Sequence, residues 1–205
     1  ARAIIEDGRR TFARLLGTAP KAIVFTSGAT EAANFVLTPG MSDGGPPFSK
    51  LIVSAGEHAC VLGGNRFPAG EVLALPLGRD GLIVLDDLAR LLDQAGGRCL
   101  VALQAANNET GVVQPVAEAA ALVRSKGGAV VCDAVQVMGR MACDFKALGV
   151  DGLILSGHKI GGPKGVGLVA FADGRWHVAD RLVRGGGQEG GARGGTENQI
   201  GRAHV

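Results

Sequence analysis

Short apolar runs recur along the chain and alternate with stretches of helical periodicity, and that alternation limits the fold more than any other feature. AIVF (22–25), LIVS (51–54), EVLALP (71–76), CLVALQ (99–104), AVVCDA (129–134), GLILS (152–156) and GVGLVAF (165–171) read as strands. Most are nearly continuous in apolar character, the pattern of strands covered on both faces. Between them, residues 2–16 place Ile4, Ile5, Phe12, Leu15 and Leu16 on one helical face, with Glu6, Asp7, Arg9 and Arg10 largely opposite. TEAANFVL (30–37) reads as helix, and Leu85, Leu88 and Leu92 have helical spacing. Pro115 sits well as the first residue of a helix carrying Val116, Ala119, Ala120 and Val123. The expected fold is α/β, a mostly parallel sheet with helices on both faces. In such sheets ligands sit beyond the carboxyl ends of the strands, so the informative residues are those that follow each strand.

Composition removes several function classes. A net charge of +2 over 205 residues gives no electrostatic case for nucleic acid or an anionic membrane. No apolar run approaches the roughly 20 residues that span a bilayer. Cys60, Cys99, Cys132 and Cys143 show no CxxC spacing and read as reduced, structural thiols of a cytoplasmic protein. No paired histidine spacing indicates zinc, and GHKIGGPKGVG (157–167) is not a GxxxxGK[ST] phosphate loop. Residues 1–199 are expected to form one domain cut at both ends. Residues 200–205, IGRAHV, match the in-frame translation of a sequencing-adapter sequence and read as a non-native tail.

The strand ends carry Ser27-Gly28-Ala29-Thr30, Glu57-His58, Asn107-Asn108-Glu109, Asp133 with Gln136, and Ser156-Gly157-His158-Lys159. Each alone has an ordinary reading as a cap or a satisfied loop residue. Together they face one crevice. Ser27–Thr30 at a helix N-terminus suits phosphate, to which Ser156 and His158 can add donors. Asp133 ends a hydrophobic strand, where an unpaired carboxylate is costly, so it is expected to meet a cation. His58 can stack on a ring and exchange protons near neutral pH. Lys159 supplies an amine, although a free lysine, with a pKa of ~10.4, is a poor nucleophile at neutral pH. Phosphate, a cationic ring nitrogen, a stacked ring and an amine for a Schiff base together describe pyridoxal 5′-phosphate.

FTSGATEAANFVL (25–37), EHACVL (57–62), NNETGVVQP (107–115), CDAVQ (132–136), SGHKIGGPKGVG (156–167) and GGGQEGGARGGTEN (185–198) resemble the cysteine desulfurases, a branch of the class-V aminotransferases. The resemblance covers nearly all of residues 1–199 and implies most of the large domain of a fold-type I pyridoxal-phosphate enzyme. By position, Lys159 matches the lysine that carries the cofactor, and His58 the ring-stacking acid/base. Asp133 matches the partner of the ring nitrogen, Gln136 the residue bonding the ring hydroxyl, and Asn108 a residue beside cofactor and substrate. Thr30, with Ala29 beside it, Ser156 and His158 match the phosphate site. Thr196 matches a phosphate-contacting threonine that crosses from the other subunit of a homodimer.

The resemblance further implies conversion of L-cysteine to L-alanine, with sulfur passing to an enzyme cysteine as a persulfide. From there it would reach scaffold proteins that assemble iron–sulfur clusters or thio-cofactors. The family's sulfur-accepting cysteine and substrate-carboxylate arginine are expected outside this chain, which is therefore expected to be inactive by itself. A selenocysteine lyase, or another lyase of the class-V family, is the alternative.

Overall fold

The computed structural model describes residues 2–195. In chain order the elements are α1 (Arg2–Leu16), β1 (Ile23–Thr26), α2 (Ala29–Val36), β2 (Met41–Ser42), β3 (Lys50–Ser54), α3 (Ala59–Leu62), β4 (Val72–Leu75) and α4 (Leu85–Gln94). They continue with β5 (Cys99–Gln104), α5 (Val116–Ser125), β6 (Ala129–Asp133), α6 (Phe145–Leu148), β7 (Gly152–Ser156), β8 (Gly167–Phe171) and β9 (His177–Val178). Seven strands form one sheet in the order β1-β8-β7-β6-β5-β3-β4. The β4–β3, β3–β5, β5–β6 and β6–β7 pairs are parallel, whereas β8 runs antiparallel to both β7 and β1. The sheet is thus mostly parallel, as the apolar runs imply, and β8 alone points against the rest. Every other strand ends at the same edge.

The two faces of the sheet bury separate cores. On one, Phe25, Ile52, Val101, Leu103, Val130, Cys132, Leu153 and Leu155 pack under α1, α4, α5 and α6. On the other, Val24, Leu51, Val53, Leu100, Val131, Ile154 and Val169 meet α2, α3, Phe48 and Trp176. Successive residues of one strand supply opposite cores, and the nearly continuous apolar strands follow from that double burial. Each fully buried large side chain contributes about 1.5–3 kcal/mol relative to its exposed state.

The structure corrects four details. Ile4 (48% exposed) and Leu15 (72% exposed) leave the inner face of α1, while Arg9, assigned to the outer side, is buried there with Ile5, Phe12 and Leu16. A distant partner explains this. Arg9 Nη1 donates to Glu189 Oε2 at 2.8 Å and to the Ile23 carbonyl at 2.6 Å, and the Phe25 amide donates to Glu189 Oε2 at 2.8 Å. The ion pair therefore occupies backbone groups of the edge strand β1 that another strand would otherwise pair with. Second, Pro115 is the N-cap of α5 rather than its first residue. Third, β2 and β9 form a two-stranded ribbon that the apolar runs do not announce. Fourth, the chain after β7, where the sequence leads to the expectation that regular structure ends at once, keeps one tight helical turn, Gly157–Lys159, before it becomes irregular.

Candidate active site

The common direction of the strands brings the ends of β1, β3, β5, β6 and β7 to one rim. Between β3 and β5 the strand order reverses, because β4 lies on one side of β3 and β5 on the other. That reversal opens a crevice in which open α/β sheets bind ligands. A cavity of about 480 Å³ lies at this rim, within the usual range for small-molecule sites. Ala29, Thr30, His58, Asn108, Asp133, Gln136, Ser156, His158 and Lys159 all line it. Thr196 and residues 200–205 lie outside the described residues.

One wall is the β1–α2 turn. Gly167 at the start of β8 allows this turn to come close, since a Cβ there would lie 2.4 Å from the Gly28 carbonyl carbon. Ala29 and Thr30 occupy the first turn of α2, where backbone N–H groups lack intrahelical acceptors. The Ser27 amide is already committed to Glu31 Oε2 at 2.8 Å. Arg193 Nη2 holds the same carboxylate oxygen at 3.1 Å. Burial pushes the Glu31 carboxyl upward, but the bonds from Arg193 and Ser27 outweigh it and hold the group below its ordinary range. The Ser156 hydroxyl and His158 Nδ1 lie 2.9 Å apart and present a paired polar group at the end of β7.

The His58 loop forms another wall. The Cys60 amide donates to His58 Nδ1 at 3.2 Å, so the neutral ring carries its proton on Nε2. Behind it, the Gly56 carbonyl accepts from Gln104 Nε2 at 2.6 Å and from Asn107 Nδ2 at 2.9 Å. Gln104 and Asn107 thus tie the His58 loop to the end of β5. The sequence offered a signal for Gln104, an amide closing a strand that is otherwise apolar. Asn107 also accepts from the amides of Glu109 and Thr110 at 2.8 Å each, which shapes the turn that presents Asn108. Asn108 itself donates to Glu109 Oε1 at 2.6 Å.

Asp133 ends β6 half-buried in the cavity wall, with Oδ1 accepting from the Val135 amide at 2.9 Å. Burial pushes its carboxyl up, and that amide and His58 only partly oppose the effect. No lysine or arginine pairs with it among the described residues. Lys159 and Lys164 also line the cavity, and neither makes a hydrogen bond or ion pair among the described residues. Cys60 is half-buried here; burial, reinforced by Asp133 and opposed by the Thr30 side chain, pushes its thiol up to about 11.

A doubly covered α/β sheet thus brings a lysine, a half-buried carboxylate and a helix N-terminus around one crevice. The chain matches the aminotransferase class-V family over residues 1–191 and belongs to it. Among curated proteins it is 41% identical to a "Cysteine desulfurase" of Frankia sp. (strain EuIK1), covering 98% of this chain and 50% of that one. It is 38% identical to "Cysteine desulfurase, mitochondrial" of Saccharomyces cerevisiae, over 94% of this chain and 39% of the relative. Among solved structures, the "NifS-like protein from Rickettsia africae ESF-5" superposes with a TM-score of 0.87 at 32% identity, covering 99% of this chain and 55% of that one. The chain spans half or less of the length of these two curated relatives.

Proposed function

We propose that this chain is the cofactor-binding part of a pyridoxal-phosphate-dependent cysteine desulfurase. The observation that carries the reading is the meeting of Lys159, Asp133 and the α2 N-terminus around one cavity. A half-buried carboxylate with its pKa raised and no cationic side chain paired to it among the described residues suits the protonated nitrogen of a pyridine ring. The open amides of the first turn of α2, with Thr30, Ser156 and His158, suit a phosphate. Lys159 offers an amine with no competing partner among the described residues. The residues present therefore fit pyridoxal 5′-phosphate.

When bound, that cofactor supplies an aldehyde that condenses with amines and a ring that accepts electrons from a bond broken at the substrate α-carbon. The chain's own residues supply the rest. Lys159 provides the resident amine and a base near the α-carbon. Asp133 would hold a proton on the ring nitrogen by its charge. His58 would stack on the ring, with its Nε2 left to exchange a proton while Nδ1 is held by the Cys60 amide. Gln136 and Asn108 offer amide groups to the ring hydroxyl and to the substrate.

In the full-length protein, L-cysteine and an enzyme thiol would yield L-alanine and an enzyme persulfide, whose sulfur passes to acceptor scaffold proteins. Burial holds both Cys60 and Cys132 in the thiol form at neutral pH, so neither is proposed as the acceptor. A homodimer in the reducing cytoplasm is part of the same reading, in keeping with four free cysteines. The test is to supply the full-length protein with L-cysteine and a reductant and to measure alanine and sulfide. Equal amounts of both are expected. Turnover of selenocysteine alone, or transamination without sulfide, would refute the desulfurase reading.

A further inference from the structure

Glu57 is a buried acid that the proposed chemistry does not use. It precedes His58 in the loop after β3 and is 5% exposed. Its Oε1 accepts from the Gln104 amide at 2.5 Å, while its Oε2 is buried with no hydrogen-bond partner among the described residues. Gln104 is the register partner of Asp133 across the β5–β6 pair, so the contact lands beside the carboxylate assigned to the ring nitrogen. An ionised Glu57 would leave one buried anionic oxygen with neither donor nor cation, the most costly way to bury a polar group. A protonated Glu57 leaves only a neutral hydroxyl there, a far smaller penalty.

We propose that Glu57 is a positioning residue that works as a neutral carboxylic acid. Its Oε1 pins the His58 loop to the end of β5, and its lack of charge leaves Asp133 as the anion that meets the ring nitrogen. The second half rests on the cofactor reading above; the first rests on geometry alone. Three hydrogen bonds join the two loops: Gln104 N–H to Glu57, and the Gln104 and Asn107 side-chain amides to the Gly56 carbonyl. Removing the acid takes away the one that anchors the residue next to His58.

Electrostatics point the same way. Burial, with the charge of Asp133 adding to it, pushes the Glu57 carboxyl up to about 8, although the Gln104 amide opposes the shift. The titratable groups that interact with it are Asp133 and Cys132 on β6 and Cys60 on α3. Both cysteines are held as neutral thiols, so only Asp133 adds charge near neutral pH. No lysine or arginine contributes to the Glu57 shift.

The test is infrared titration of the full-length protein without cofactor, prepared with 13C-carboxyl glutamate or with 13C-carboxyl aspartate. A carboxylic acid C=O band is expected at pH 7. Glutamate labelling should move it and aspartate labelling should not, it should be missing from Glu57→Gln, and it should fade with a midpoint near about 8. Absence of any protonated-glutamate band at pH 7 in the labelled parent overturns the proposal, and that reading needs no variant to fold.

For the positioning half, cofactor dissociation constants are compared. Glu57→Ala is expected to weaken binding about tenfold, the loss of one hydrogen bond from a buried tether, while Glu57→Gln, which keeps the acceptor oxygen, recovers most of it. Equal affinities for the Ala and Gln variants would overturn that half. The infrared result uses neither cofactor nor turnover. A protein that bound no pyridoxal phosphate would refute the proposed function and leave the protonation result intact.

Discussion

Two cavities of similar size lie at opposite ends of the sheet, and they are built from different principles. The crevice at the strand carboxyl ends measures about 480 Å³, and a second cavity, lined by residues that precede β5, β6 and β7, measures about 510 Å³. The second is rich in charge, and most of its charges meet a partner. Arg98 makes two bonds to Asp43, at 2.9 and 2.8 Å, and donates to the Gly127 carbonyl at 3.0 Å. It also lies 4.3 Å from the centre of the Phe48 ring. Asp151 accepts from the Val130 amide, Arg124 donates to the Gly149 carbonyl, and Arg175 pairs with Asp173. In the crevice, Asp133 has one amide donor and Lys159 is unpaired among the described residues, and behind its wall Glu57 has a buried oxygen with no partner among those residues.

The carboxyl pKa shifts show the contrast at its strongest pair. Arg98 drives Asp43 down to about 2, whereas burial drives Asp133 and Glu57 up. Partners rather than location set the sign: burial also raises Asp151 at the second cavity, and Arg193 with Ser27 holds Glu31 down in the crevice wall. Volume alone would rank the two cavities as equals. What separates them is polar groups left uncompensated, which a stable fold tolerates where a ligand completes them.

The largest effect is expected at Lys159. Lys159→Ala in the full-length protein should lower turnover by at least about 10³-fold, since no other amine of the crevice holds its place. Retained turnover would shift the role to Lys164 and break the contrast at its centre. Next comes Asp133→Asn, which keeps size and hydrogen bonding but removes the charge. Activity should fall by about 10²-fold, the scale of one electrostatic contact made at the reacting group, while cofactor affinity changes far less. Equal losses would place Asp133 in binding or folding instead.

At the opposite cavity the expectation reverses. Arg98→Ala should destabilise the fold by about 2–3 kcal/mol through lost charge-assisted bonds and ring packing, and leave cofactor affinity unchanged. Urea unfolding together with a cofactor titration separates the two outcomes. The smallest effect is a pH dependence. Asp43 has its folded-state pKa depressed, so the stability it contributes is fully present above the unfolded carboxylate range near ~3.9 and is lost as pH falls through about 2. Arg98→Ala should flatten that acid limb. An unchanged limb would mean that the pair contributes little in solution.

The contrast also explains which parts of the molecule were legible in the sequence. Strands such as CLVALQ and GLILS announce themselves because both faces are buried, so every position before the last is apolar or glycine. The crevice residues follow from them, because the end of a buried strand is a fixed place in space. Contacts between distant segments left no such trace. Arg9 reads as an outward charge until Glu189, 180 positions away, is brought to it. The β2–β9 ribbon has two residues per strand, too short for any period to show. The tether from Gln104 and Asn107 to Gly56 joins side chains about fifty positions away to a backbone carbonyl that no motif marks.

The most direct test of the crevice as a cofactor site is to map the reacting amine. The full-length protein is loaded with pyridoxal 5′-phosphate, reduced with borohydride, digested and analysed by mass spectrometry. Loss of the visible absorption band on reduction, with a phosphopyridoxyl mass on the peptide carrying Lys159, is the expected result. Label on Lys164, label scattered over surface lysines, or no absorption band at all would contradict it.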